Sequence, residues 1–134
     1  MSHAIVLDTN ILVSAGLKPL SPVAAIVERA LMRTVPVHVC PSLVLEYQAV
    51  MARPKFKRAG FPPSWLPRLL QVAFHEPEPE PWSHAGPDSH DLVFLALAKA
   101  TGAVLVTGNT QDFPPAIRAG VIVMTPAAYL ERYP

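Results

Sequence analysis

Asp8, Glu46, Asp91, Asn109 and Asp112 are the residues whose types and places in the chain could do chemistry. Asp8 follows an apolar run in IVLDTNI, and a carboxylate at the end of a buried strand needs something to face. The local alternative is a turn and helix cap, with Asp8 or Asn10 accepting backbone N–H bonds. Glu46 lies in PSLVLEYQAVMA. If Ser42 caps that helix, its reciprocal partner belongs at Leu45, so a capping box does not explain Glu46. At about 100° per residue, Glu46 falls beside Val50 and Leu43 at the edge of the apolar face, either drawn toward the core or snorkelling to water. Asp91 begins a helix that runs on as LVFLALA. Asp88 or Ser89 is its candidate cap, which leaves Asp91 to the first-turn dipole or to a cleft. Asn109 and Asp112 follow in VTGNTQDF, where Gly108 is expected either to take a conformation other residues find strained or to make a plain turn.

Together these residues place polar groups after two strands and near two helix starts, so they could converge at the carboxyl ends of the central strands. Carboxylates crowded there repel one another unless protonated or bridged by cations. Oxygen donors without a His-Cys cluster favour Mg²⁺ or Mn²⁺ over structural zinc.

The elements that must position them alternate. HAIVLD at 3 to 8, VPVHVC at 35 to 40, GAVLVTGN at 102 to 109 and GVIVMTP at 120 to 126 read as short apolar strands. Helical patterns occupy 21 to 33, with Ser21 as cap and Pro22 at the first position, then 41 to 52, 63 to 74, 88 to 101 and 126 to 133. This order predicts an α/β fold with a parallel sheet, helices on both faces and right-handed crossovers. In such sheets ligands sit beyond the carboxyl ends of the strands, where Asp8 lies. HEPEPEPWSHAGPD at 75 to 88 is expected to be an extended, solvated connector, with a short edge strand just before it.

A chain of 134 residues is the size of one domain, and a single domain over 1–134 is expected. Its hydrophobic share of 51% against 16% charged residues predicts a folded chain. No apolar run reaches the roughly 18 residues of a membrane span, and no secretory leader opens the sequence, so a cytoplasmic protein is expected. Cys40, the only cysteine, excludes an internal disulfide and reads as a small buried residue ending a strand. A formal charge of +1 excludes the strongly basic field of a general nucleic-acid coat protein. The 16 prolines are spread through the junctions.

VLDTNILVSA, LVLEYQAVMARPKF and PDSHDLVFLALAKATGAVLVTGN, in that order, resemble the PIN-domain family, especially its toxin-like ribonucleases of bacterial toxin-antitoxin systems. The resemblance spans nearly the whole chain. It implies a three-layer α/β/α sandwich with strand order 3-2-1-4-5 and an acidic metal site of Asp8, Glu46 and Asp91. It puts the last motif residue at Asn109, where many members carry Asp; Asn can ligate through its carbonyl oxygen but removes a charge, for which Asp112 could compensate. Thr9, Asn10 and Thr107 look like residues that hold the carboxylates in place. The implied reaction is hydrolysis of an RNA phosphodiester with Mg²⁺ or Mn²⁺, leaving a 5′-phosphate and a 3′-hydroxyl. Arg53, Lys55, Lys57 and Arg58 form an acid-free run after the helix bearing Glu46, a candidate phosphate-contacting lip with Phe56 for base stacking; the alternative is a solvated turn.

The leading expectation is therefore a metal-dependent endoribonuclease that is the toxin of a toxin-antitoxin pair, with an antitoxin protein as partner and self-association as a homodimer or higher homo-oligomer. The alternative is a PIN-fold RNA- or protein-binding module with weak or lost nuclease activity, to which Asn109 points. A phosphatase using Asp8 as nucleophile ranks lowest, because the general acid of an Asp-x-Asp pattern is replaced by Asn10.

Overall fold

The computed structural model describes residues 3–87 and 89–134. Asp88, a candidate cap above, lies outside the described residues. Strand and helix alternate as β1 (Ile5–Leu7), α1 (Thr9–Leu17), α2 (Pro22–Leu31), β2 (His38–Val39), α3 (Pro41–Met51), α4 (Leu66–Val72), β3 (Phe74–His75), α5 (Leu92–Thr101), β4 (Val104–Val106), β5 (Val123–Met124) and α6 (Pro126–Arg132). Short 3-10 turns lie at Pro54–Ala59, Ser89–Asp91, Thr110–Asp112 and Pro115–Ile117.

Every strand pair among the described residues is parallel. β1 pairs with β4 in the register Ile5 to Val104 and Leu7 to Val106, and β4 pairs with β5 from Leu105 to Val123. β2 and β3 make a second ladder, with His38 opposite Phe74. A single parallel bridge, Ile5 to Val37, lies between the two ladders, made by the Ile5 N–H donating to the Pro36 carbonyl at 2.9 Å. The ladders therefore run as β1-β4-β5 and β2-β3 rather than as one sheet of five strands.

β1 and β4 are buried at every position, which is why both read as unbroken apolar runs without a polar face. Each fully buried Ile, Leu or Val of this core contributes about 1.5–3 kcal/mol relative to exposure. Helix α5 packs on β1, β4 and β2, while α1 packs against α2 and α3, and α2 against α4 and α6.

Local signals set several boundaries. Ser21 caps α2, accepting the Ala24 N–H at 3.3 Å, with Pro22 at the first position as expected. Helix α5 stops at Gly102, whose φ of 70° is the left-handed conformation glycine adopts without strain. Helix α1 is absent from the sequence-based expectation: Thr9, Ile11, Leu12 and Ala15 are buried and every other position but Leu17 is partly buried, so no polar face marks it. Helix α3 differs at its start. Its cap position is Cys40, with Pro41 at the first helical position, so Ser42 does not cap it.

The Glu-Pro connector is largely exposed, as expected, yet two of its glutamates make specific bonds. Glu76 accepts from His38 Nδ1 at 3.2 Å, and Glu78 accepts from the Ser42 N–H at 3.1 Å and from the Ser42 hydroxyl. The Ser42 bonds hold the Glu78 carboxyl below its ordinary 4.5. A residue of the connector thereby satisfies a donor at the start of α3 that the local sequence leaves open. Cys40 is buried, which raises its thiol above the ordinary range.

Candidate functional site

Asp8 leaves the end of β1 and its backbone N–H still bonds across the ladder to the Val106 carbonyl at 2.9 Å. That places Asp8 beside Thr107, the residue just after β4, at the carboxyl ends of two adjacent parallel strands. Both side chains are buried, Asp8 with 6% and Thr107 with 0% of its surface exposed. Thr107 Oγ1 donates to Asp8 Oδ2 at 2.8 Å, and Asn10 Nδ2 donates to the same oxygen at 3.2 Å. Asp8 stands at the cap position of α1, yet its side chain makes no capping bond there. The carboxylate is nonetheless steadied by the backbone N–H groups of Thr9 and Asn10 at the start of α1, so its place at the helix start and its place in the cluster go together.

Burial raises the Asp8 carboxyl above its ordinary 3.8. The Thr107 hydroxyl and the backbone N–H of Asn10 pull it down, the Glu46 charge pushes it further up, and the backbone N–H of Thr9 lowers it.

Glu46 comes from α3, whose buried side is Leu43, Tyr47 and Met51. It is half-buried at the edge of that side, the position its place on the wheel predicts. Its Oε2 accepts a hydrogen bond from Thr9 Oγ1. Thr9, Asn10 and Thr107 thus touch the two carboxylates. Asn10 also accepts the Gly108 N–H on Oδ1 at 3.2 Å, and Thr107 Oγ1 accepts the Asn109 N–H at 3.1 Å. The turn after β4 is tied to the turn after β1 by these bonds. Gly108 is not left-handed, and a Cβ there would meet Asn10 Oδ1 at an ordinary 3.6 Å, so the turn does not require glycine.

The remaining candidates are placed around this pair. Asp91 ends the 3-10 turn before α5 and is half-buried. Its backbone is helical and its side chain does not cap α5. Asn109 is exposed and enters the cluster through its backbone, and Asp112 is half-buried in the following turn. Among the described residues no three or more His, Cys, Asp or Glu side chains are gathered closely enough to hold a metal ion, so Asp8, Glu46, Asp91 and Asp112 do not form one such group.

The donor chemistry at Asp8 and Glu46 nonetheless fits a hard divalent cation. The donors are oxygen only, the two carboxylates repel each other, and neither forms an ion pair with Lys, Arg or His among the described residues. Mg²⁺ commonly takes one or two protein carboxylates and keeps several waters, so two suffice.

Arg53, just before the 3-10 turn that follows α3, and Lys55, Lys57 and Arg58 on it are all exposed. Phe56 is partly buried, stacked on Phe61 with centroids 5.1 Å apart, and it packs on the core rather than standing free. Phe61 in turn lies over α1, where a Cβ on Gly16 would come within 2.5 Å of its ring. Glycine at 16 is what lets the base of the basic turn seat on the helix that follows Asp8.

The sequence profile of the PIN domain matches residues 4–111. The chain belongs to the PIN-domain family. This PIN domain is similar in structure to VapBC2 from Rickettsia felis, solved bound to a DNA fragment from their promoter, with a TM-score of 0.62, 20% identity and coverage of 90% of this chain and 96% of that one. FitAcB from Neisseria gonorrhoeae matches with a TM-score of 0.55 at 22% identity over 92% of this chain and 98% of that one. PAE2754 from Pyrobaculum aerophilum matches at 0.57 and 13% identity, over 96% and 88%. At such identities the likenesses establish the fold. A comparison with curated protein sequences gives no match. PIN domains are generally nucleases.

Sequence reading passes over Tyr47 in this PIN domain. It is fully buried beside Glu46, and its hydroxyl donates to the Leu7 carbonyl at 2.6 Å. Burial, with the Asp8 and Glu46 charges added, pushes its phenol well above the ordinary 10.0, so it remains a donor. The available signal is the four-residue spacing of Leu43, Tyr47 and Met51, which marks the buried side of α3.

Proposed function

We propose that this PIN domain is a metal-dependent endoribonuclease, the toxin of a toxin-antitoxin pair acting in the cytoplasm. The observation that carries the proposal is the Asp8–Glu46 pair: two carboxylates near the carboxyl end of β1, one of them buried, with no ion-pair partner among the described residues. A protein keeps such a pair at a cost that a bound cation offsets. The single bridge from Ile5 to Val37 supports reading the two ladders as one three-layer α/β/α sandwich in the order 3-2-1-4-5, over a single domain.

In this reading Asp8 and Glu46 hold a Mg²⁺ or Mn²⁺ ion, and Asp91, Asp112 and the Asn109 carbonyl oxygen would reach it through its bound waters. When bound, the ion supplies Lewis acidity toward the scissile phosphate and lowers the pKa of its water. Thr107 and Asn10 fix one oxygen of Asp8, which leaves the other without a side-chain hydrogen bond and would let it hold the ion. Thr9 orients Glu46 in the same way. Arg53, Lys55, Lys57 and Arg58 contact phosphates along the RNA, which sets position rather than sequence.

The toxin reading rests on the likeness to the VapBC- and FitAB-type toxin-antitoxin proteins, and it brings an antitoxin and a homodimer or higher homo-oligomer as partners. No single helix among the described residues is long and apolar enough to cross a membrane. The uncharged, exposed Asn109 favours the second reading, a PIN-fold RNA- or protein-binding module with weak or lost cleavage.

One assay separates them. The protein incubated with single-stranded RNA and Mg²⁺ or Mn²⁺ is expected to cleave it, and a chelator or Asp8→Ala is expected to stop cleavage. Replacing Arg53 and Lys57 by Ala should weaken RNA binding and flatten its salt dependence, by about 0.7 in log–log slope for each phosphate no longer neutralised. RNA binding without cleavage in either metal establishes the module instead. Cleavage indifferent to both chelation and Asp8→Ala overturns the metal site.

A further inference from the structure

Leu7, Asp8 and Thr9 are consecutive, and the residues flanking Asp8 are both bound by consecutive residues of α3. The Leu7 carbonyl accepts from the Tyr47 hydroxyl at 2.6 Å, and the Thr9 hydroxyl donates to Glu46. Helix α3 is thereby fastened to the end of β1 on both sides of Asp8, at the point where Asp8 and Glu46 repel each other. The two fastenings differ in kind. The Thr9 bond engages a Glu46 oxygen that a cation would also claim. The Tyr47 bond ends on a main-chain carbonyl and engages neither carboxylate, so it persists whichever way Glu46 turns.

From this geometry we infer that Tyr47 is a positioning residue that presets the separation of the Asp8 and Glu46 carboxylates, and through it the preference of the site for Mg²⁺ over Ca²⁺. The inference rests on the metal-site reading of that pair. Mg²⁺ demands near-ideal octahedral geometry at about 2.0–2.1 Å, whereas Ca²⁺ accepts about 2.3–2.6 Å and a flexible shell. A fixed spacing is therefore worth more to Mg²⁺.

Tyr47→Phe removes one hydroxyl and keeps the ring that fills the core. Calorimetric titration with Mg²⁺ and Ca²⁺ separately, without RNA, is expected to show Mg²⁺ bound about tenfold or more weakly by the variant, the range of an outer-sphere partner. Ca²⁺ affinity should change much less, so the ratio between the ions narrows. Tyr129→Phe is the control, because Tyr129 is a second buried tyrosine whose hydroxyl donates to a main-chain carbonyl, that of His3. It should leave both affinities unchanged.

Equal Mg²⁺ affinity in Tyr47→Phe and wild type overturns the inference, and so does an equal loss for both ions, which marks general loosening. A wild-type protein that takes up no Mg²⁺ overturns the site reading itself, and the Tyr47 role with it. Should Tyr47→Phe fail to fold, the wild-type protein decides by NMR. Exchange of the Tyr47 hydroxyl proton is expected to slow when Mg²⁺ is added, while that of Tyr129 does not. An unchanged Tyr47 proton in a protein that binds Mg²⁺ overturns the inference.

Discussion

Helix α3 meets carboxylates at two places about one turn apart, and they sit in opposite circumstances. At its amino end Glu78 reaches in from the connector and accepts two hydrogen bonds from Ser42, which lower its pKa. Further along, Glu46 faces the buried Asp8, whose pKa burial raises and the Glu46 charge raises further. Glu78 faces donors in a solvated setting, and the fold gains from its charge. Asp8 faces another carboxylate in a dry one, and the charged form costs the fold. Residues of one chemical type thus divide by what surrounds them: Glu78 secures a helix, while burial and Glu46 disfavour the charge on Asp8, a cost the proposed cation would offset.

The change that strikes hardest at this contrast is Asp8→Asn. It keeps the shape and the Thr107 contact but removes the buried charge. RNA cleavage should fall by more than the 10–100-fold typical of an outer-sphere partner, while the metal-free protein melts at a higher temperature than wild type. Loss of activity together with loss of thermal stability would make Asp8 a structural residue.

Thr107→Val comes next. It strips Asp8 of its neutral donor and leaves the Asn109 N–H without an acceptor, a cost of about 1–3 kcal/mol by denaturant titration. Mg²⁺ affinity should fall about 10–100-fold.

Glu78→Ala should lower stability by about 0.5–1 kcal/mol, the lower part of the range for a lost helix cap, since the site is exposed. Cleavage should stay near wild type. A large drop in activity would show that the two ends of α3 are not separable.

The smallest effect is the pH dependence, and its signs are opposed. Asp8 has a raised folded pKa, so the native state binds the extra proton and metal-free stability declines as pH rises above the ordinary 3.8 through the raised value. Glu78 has a lowered folded pKa, so its contribution is complete above the ordinary 4.5 and is lost as pH falls through the folded value. Stability measured against pH in Asp8→Asn and Glu78→Gln should lose the first and the second dependence respectively.

These environments explain how much is legible in the sequence. Ser21 with Pro22 announces the start of α2, because a cap and its helix are neighbours in the chain. Asp8 after an apolar run and Glu46 at the edge of an apolar face are readable for the same reason. The partner of Asp8 is harder: Thr107 lies 99 positions away and reaches it only because Leu7 and Val106 pair in register. Glu78 reaches Ser42 across 36 positions from a proline-rich stretch that composition alone assigns to solvent. The start of α3 misleads for a different reason, since Pro41 marks Cys40 as the cap position while the favoured hydroxyl belongs to Ser42, two residues further along. Helix α1 escapes because it lacks the stripe by which amphipathic helices are found.

The single bridge between the two ladders divides the molecule along a seam. Among the described residues only Ile5 and Val37 pair across it, whereas β4 is paired along its length with β1 and with β5. Opening β2 and β3 breaks few backbone hydrogen bonds to the other three strands, although Val37 and Val39 share their buried core. The backbone amides of Phe74 and Glu76, bonded to Val37 and Val39, should exchange with solvent sooner than those of Leu105 and Thr107. On that expectation Asp8 stands on the more densely paired side of the seam.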